Sequence, residues 1–208
     1  PFDNYSTAEE DQFFSDGMTE VIIANLAKVK DLKVISRTSV MEYKNTTKKL
    51  KEIAKELGVA HILEGSIQRA NGRVRVVGQL IDADTDEHIW AETYDKKESD
   101  IFELQSDVAI EIANALKTEL TEDVKSRISE KLTESTIAYE YYLKGNMHEN
   151  AGHSKENLLL AISEYERAVA IDPEFAEAHA QLGKMHAHIK WYRHDLSQRR
   201  MDMCKAAI

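Results

Sequence analysis

The chain has 208 residues, 42% of them hydrophobic and 31% charged, and 37 acidic against 27 basic side chains leave a net charge of −10. That size and balance suit one large or two small soluble globular domains. The acidic excess argues against a nucleic-acid surface, which needs clustered Lys and Arg; the single Cys204 excludes an internal disulfide; and no apolar run approaches the length of a bilayer span.

Residues 1–120 alternate helical and strand signals. Ser15 or Asp16 is placed to cap a helix through MTEVIIANLAKV, with Val21, Ile22, Leu26 and Val29 on one face. LKVIS (32–36) reads as a short strand. TSVMEY and KKLKEIAKELG read as helices, the second stopped by Gly58. Three strands follow: VAHILEGSIQRA, RVRVVGQLID and EHIWAETY. Asn71-Gly72, a strong hairpin signal, joins the first two, and the polar turn ADTD joins the second to the third. Asp100 is placed to cap a long helix, IFELQSDVAIEIANALK, whose Ile101, Leu104, Val108, Ile112 and Leu116 keep helical spacing. TEDVKSRISEKLTES (121–135) reads as a polar helical bridge, and residues 136–208 carry helical signals only.

The predicted architecture is an α/β unit over 1–120, a bridge over 121–135, and an all-α region over 136–208. Helices before and after one sheet suggest a two-layer sandwich: a mixed sheet containing an antiparallel meander, with helices covering one face. A first helix ordinarily packs on a strand that precedes it, so a strand is expected ahead of Pro1-Phe2. RRMDMCKAAI reads as the start of a helix with no cap after it, so the chain is expected to be a piece of a longer protein.

The stretch Glu166–Gly183, ERAVAIDPEFAEAHAQLG, ends one helix at Asp172-Pro173 and begins another containing Leu182-Gly183. It resembles the tetratricopeptide repeat, a helical hairpin of about 34 residues. Ala161 and Tyr165 match its A-x3-F element, Leu182 and Gly183 its Leu-Gly, and His186 stands at its Tyr position. The first helix of the earlier repeat holds Tyr142-Leu143, with Met147 at the Tyr position, and an insertion is expected within GNMHENAGHSK. The second repeat is incomplete. A second resemblance covers residues 1–120: PFDNYSTAEEDQFFSDGMTEVI, LKVISRTSVMEYK, IAKELGVAHILEGSIQR and VRVVGQLIDADTDEHIWAETYD are similar to the TolB-like (FlgO-like) amino-terminal domain. That family commonly has Thr-Gly where this chain has Thr85-Asp86. Such domains occur in bacterial regulators related to adenylate/guanylate cyclases, often ahead of tetratricopeptide repeats, and the resemblance implies a sensing or scaffolding role.

No motif announces catalysis. Asp82-Ala83-Asp84-Thr85-Asp86 opens like a calcium loop, but Glu87 and Thr93 stand where that loop needs Gly and Glu, so it reads as a turn. His179, His186, His188 and His194 cluster late without HExxH or paired Cys, and no metal or cofactor site is assigned. His179 and His186 read as packing residues, His61 as partly buried and Cys204 as a packing thiol. Trp90 and Tyr94 share a strand face and read as core. No phosphate-binding glycine loop occurs. Arg37, Thr38 and Ser39 begin a helix after LKVIS; free amides beside Arg37 would make an anion site, with capping by Ser36 or Thr38 as the simpler reading.

The functional expectation is a non-catalytic regulatory or scaffolding piece of a bacterial signalling protein, binding a protein or peptide in the groove of its repeats. Alignment on Leu143 and Leu182 nominates Tyr141, His148, Glu177 and Lys184 for that face. No nucleic-acid or membrane contact is expected, and self-association into a homo-oligomer is the other partner considered. The alternatives are part of an adenylate/guanylate cyclase whose catalytic domain lies outside this chain, or a small-ligand sensor. Close helix packing in the repeats requires small side chains, so Ala168→Leu should lower stability by about 1–3 kcal/mol through overpacking, measured by thermal unfolding.

Overall fold

RVRVVGQLID alternates β-branched with polar or small residues, and this strand lies inside the sheet. The computed structural model describes residues 1–6 and 11–206. Its sheet has the order β1-β2-β3-β4, with β1 at Asp3–Asn4, β2 at His61–Ala70, β3 at Arg73–Asp82 and β4 at Glu87–Lys97. β1 runs parallel to β2, while β2–β3 and β3–β4 are antiparallel, so the sheet is mixed. Val74, Val76 and Leu80 of β3 are buried on one face, and Ile67 of β2 stands opposite Val76. Trp90 and Tyr94 of β4, opposite Leu80 and Val76, are half-buried on that face. Burial pushes the Tyr94 phenol up to about 12. The tight turns need left-handed backbone: Asn71 and Gly72 have φ of 53° and 70°, and Asp86 has 62°.

Helices α1 (Gln12–Ala27) and α4 (Ile101–Ala115) pack against each other, and α4 lies on β3 and β4. Their core side chains are Met18 and Ile22 from α1 and Leu104, Val108 and Ile112 from α4, each at most 1% exposed. α1 starts a turn earlier than the sequence suggests. Ser15 is not its cap but lies buried within it, because Phe13 and Phe14 are drawn into the core and pull the helix start back. Asp100 sits at the start of α4, after a 3-10 turn at Glu98–Asp100, but its side chain makes no capping bond and accepts instead from Ser99 Oγ. α5 (Glu122–Ile128), capped by Thr121, docks through Ile128, which is 1% exposed; Ser106 Oγ donates to its carbonyl oxygen. Lys28 Nζ donates to Arg127 O at 2.6 Å.

Between α1 and β2 the chain departs from expectation. Residues 32–36, LKVIS, form no strand: they join no ladder of the sheet. High β-propensity alone does not make a strand. α2 (Arg37–Met41) is five residues long, and α3 (Leu50–Leu57) ends at Gly58 with φ of 64°. The strand not foreseen is β1, whose two residues pair with Ser66 and Ile67. Phe2 just before it is 3% exposed, and its N–H donates to Thr19 Oγ1 of α1 at 3.0 Å.

The chain divides into two compact units, Pro1–Glu130 and Lys131–Ile208. The second is built from α6 (Thr136–Asn150), α7 (Lys155–Ile171), α8 (Ala176–Trp191) and α9 (Gln198–Ala206), each packed on the next in sequence. Ser135 and Ser154 cap α6 and α7 by accepting from Ala138 N and Asn157 N. α7 stops at Ile171, before Asp172-Pro173. The expected insertion is largely helical, since α6 runs on to Asn150 and leaves only residues 151–154 as connector. Met147 does not take a core position either. It is 38% exposed, while Gly145 and Asn146 are buried, so the buried stripe of α6 runs one residue out of the expected register.

Gly145 and Gly65 lie at close approaches. A Cβ at Gly145 would overlap the Tyr165 ring, and one at Gly65 would collide with the Val77 carbonyl oxygen and meet the Phe2 ring at 2.9 Å. The Gly65 neighbours are a strand backbone and a buried ring, neither free to move. Gly65→Ala should therefore cost about 3 kcal/mol or more in urea unfolding, whereas Gly72→Ala, with no atom within 4 Å of its Cβ but φ of 70°, should cost about 1 kcal/mol.

Candidate functional site

β2 is ten residues long and pairs with β3 over its whole length, but β1 covers its other edge only at Ser66–Ile67. Among the described residues, the outer edge from His61 to Gly65 has no strand neighbour. A groove of about 2130 Å³ follows this edge, with half-buried Leu57, Val59, Ile62 and Leu63 contributing apolar lining and Lys33–Ile35 another part of the wall. Small-ligand pockets run to about 300–1,000 Å³, so this trough is larger than one such ligand needs. Lysines at its margin are engaged: Lys48 pairs with Glu56 at 2.8 Å, and Lys51 lies 3.4 Å from Asp84. Lys33 Nζ donates to Gly58 O.

Beside the trough, Arg37 lies 3.5 Å from Glu20. Ser36 Oγ accepts from Ser39 N at 3.5 Å and lies 3.2 Å from Ser39 Oγ, so the Ser39 amide is turned to capping. Thr38 stands in the first turn of α2 and Arg37 is its first residue.

In the helical unit the buried centre is aromatic. Tyr142 lies 5.9 Å from Tyr165 and 5.0 Å from Phe175, centroid to centroid, and Tyr165 and Phe175 are fully buried. Tyr165 Oη donates to Asn146 Oδ1 at 2.7 Å and lies 3.3 Å from Glu149, which is salt-bridged to Lys184 of α8. A phenol at the centre of an apolar cluster needs such partners. One polar chain thus connects α6, α7 and α8.

The four nominated residues divide. Tyr141, Lys144 and His148 follow at i, i+3 and i+7 and share a face of α6. Tyr141 is half-buried, with Lys144 Nζ 5.4 Å and Arg167 of α7 5.6 Å from its ring centroid. Both cations also have carboxylates, Glu140 at 2.8 Å and Glu164 at 3.2 Å. Glu177 is half-buried in the first turn of α8, and Lys184, on the same face, is held by Glu149.

The histidines sit apart from one another in role. His61 is exposed, not partly buried, because it stands at the end of β2. His179 Nε2 lies 3.0 Å from Pro173 O. His153 stacks on Tyr192 and meets His188 edge-on at 5.1 Å, and His194 Nε2 lies 3.1 Å from His153 O. His186, 2% exposed, meets Arg200 of α9. Among the described residues, no group of three or more His, Cys, Asp or Glu is placed to hold a metal ion. Asp82 Oδ1 accepts from Asp84 N and Thr85 N, which makes the ADTD segment a side-chain-closed turn and holds the Asp82 carboxyl below the usual range. No described helix is long and apolar enough to cross a membrane.

The trough and the Tyr165–Glu149–Lys184 chain have no sequence motif, because both depend on which elements the fold makes neighbours. The nearest signal is a buried-looking Tyr165 four residues after Ala161. A protein of Rhizobium meliloti (strain 1021) named "Putative adenylate cyclase 3" is 40% identical over 185 residues, 88% of this chain and 31% of that protein. The chain thus spans about a third of the length of this relative. No family profile matches the chain.

Proposed function

We propose that this chain is a non-catalytic, partner-binding part of a bacterial signalling protein related to adenylate cyclases. The observation that carries this reading is the half-buried face of α6, Tyr141 with Lys144 and Arg167 near its ring and His148 one turn beyond Lys144. An aromatic ring between two cations, on a rigid helix, suits an extended peptide with an apolar anchor and an acidic neighbour. In this reading α6–α9 are tetratricopeptide-type helices, the first unit is TolB-like, and Glu177 and Lys184 extend the binding face. Buried Ala161, Ala168 and Gly145 support it, as small residues are what close helix packing demands. The relationship to a cyclase-named protein, confined to a third of its length, supports a place for this chain beside the chemistry of such a protein, with the reaction carried elsewhere.

Two measurements test this. Incubated with ATP or GTP and Mg²⁺ or Mn²⁺, the chain should form no cyclic nucleotide; turnover would overturn the reading. Peptides selected on the intact chain from a displayed library should lose about tenfold in affinity, about 1.4 kcal/mol, on Tyr141→Ala. Equal binding to both proteins, with the variant folded, removes the α6 face from the site.

The trough beside β2 favours a second reading, a sensor for a small ligand. It is served by thermal-shift screening of a metabolite panel, where a ligand at about one hundred times its Kd would add about 2.7 kcal/mol of stability. A flat response across the panel leaves the peptide-binding reading alone.

A further inference from the structure

We propose that the contact between α8 and α9 is an acid-released joint, which His186 and Arg200 hold only while the imidazole is neutral. Arg200 Nη1 lies 2.8 Å from His186 Nδ1. A guanidinium has donors and no acceptor, and it does not give up its proton in water. Nδ1 must therefore be the acceptor, and the ring proton sits on Nε2. Protonating Nδ1 would set two donors and two cations against each other at the distance of one hydrogen bond, beneath a surface that leaves His186 only 2% exposed. The Arg200 side chain is 14% exposed, so water screens that encounter only weakly, and separation of the helices relieves it.

Among the described residues, none offers the imidazolium a free counter-ion. Asp195, in the connector before α9, is spent on Arg200 Nε at 3.3 Å and on Ser197 N at 2.9 Å. From α9 itself Cys204 reaches α8, its thiol donating to Gly183 O at 3.4 Å. Among the described residues, Arg200 is the charged group that bears on His186, and no charged side chain of α7 does. Burial first, and then the Arg200 charge, hold His186 below histidine's ordinary 6.5. The sign follows: a histidine depressed in the packed state contributes its full share above 6.5, and that share is lost as pH falls from 6.5 toward the depressed value. His188 is lowered as well, by burial, by His153 and by Lys184 against the opposing Glu149, so the unit holds a second titrating group, set against His153 and Tyr192.

Cys204, the one cysteine of the chain, reports on the joint directly. Its reaction with 4,4′-dithiodipyridine, which proceeds in mild acid, is normalised to the same thiol in urea. For the native chain the normalised rate should rise about tenfold between about pH 7.5 and about pH 5.5. His186→Asn places a neutral acceptor oxygen at the Nδ1 position, bonds Arg200 at any pH, and should abolish the rise. A rise of equal size in both proteins would assign the release to another group, such as His188, and overturn the proposal. No rise in the native chain would overturn it too. Ring-nitrogen NMR of the native chain is an independent test should the variant not fold: His186 must be the neutral Nε2–H tautomer at neutral pH, and a protonated Nδ1 there refutes the joint.

Discussion

The first unit depends on β3 being paired along both edges. A strand in that position has its backbone groups satisfied by its neighbours, so its side chains alone decide which face is buried. In β3 they decide sharply: Val74, Val76 and Leu80 are turned inward and Arg73 and Arg75 outward. The outward arginines meet Asp95 of β4 at 2.7 and 2.8 Å, which holds that carboxyl below the usual range, through Arg75 and then Arg73. Asp95 is exposed enough that this pairing sets register more than it adds stability. α4 can then lie on β3 and β4, and α1 packs on α4.

The same logic explains where this unit is open. β2 has one edge closed by β3 and the other closed only for two residues, and no side-chain pattern compensates for an unpaired edge. The trough lies along the uncovered part, and Leu32, Lys33, Val34 and Ile35 contribute to its wall without joining the sheet. A concave surface bordered by backbone donors and acceptors differs in kind from an apolar ligand cavity, and any occupant must answer both the apolar lining and the strand edge.

In the helical unit a single contact plays the organising part. Tyr165 lies so close to α6 that only glycine fits at position 145, and its hydroxyl must then be satisfied inside the unit by Asn146 and Glu149. Glu149 in turn engages Lys184. Packing, hydrogen bonding and charge pairing are thus chained, and Lys184, nominated for a binding face, proves to be tied to α6. Tyr141 remains half-buried, with Lys144 and Arg167 beside its ring.

Local periodicity and turn chemistry were enough to read the three long strands, the Asn71-Gly72 turn, the Gly58 stop and the Asp172-Pro173 break, since each rests on interactions within a few residues. The errors have one cause. LKVIS has the composition of a strand, but a ladder needs a partner; Asp3-Asn4 looks like nothing, yet has one. Ser15 looks like a cap, but the burial of Phe13 and Phe14 places the helix start before it. Met147 has the right spacing for the core, yet Gly145 sets a different register through Tyr165. The sequence by itself therefore determined the long helices and the three long strands, and which residues are apolar or charged. Only the tertiary structure decided which edge is paired, which histidine faces an arginine and which lysine is spent, because those outcomes belong to neighbours far apart in the chain.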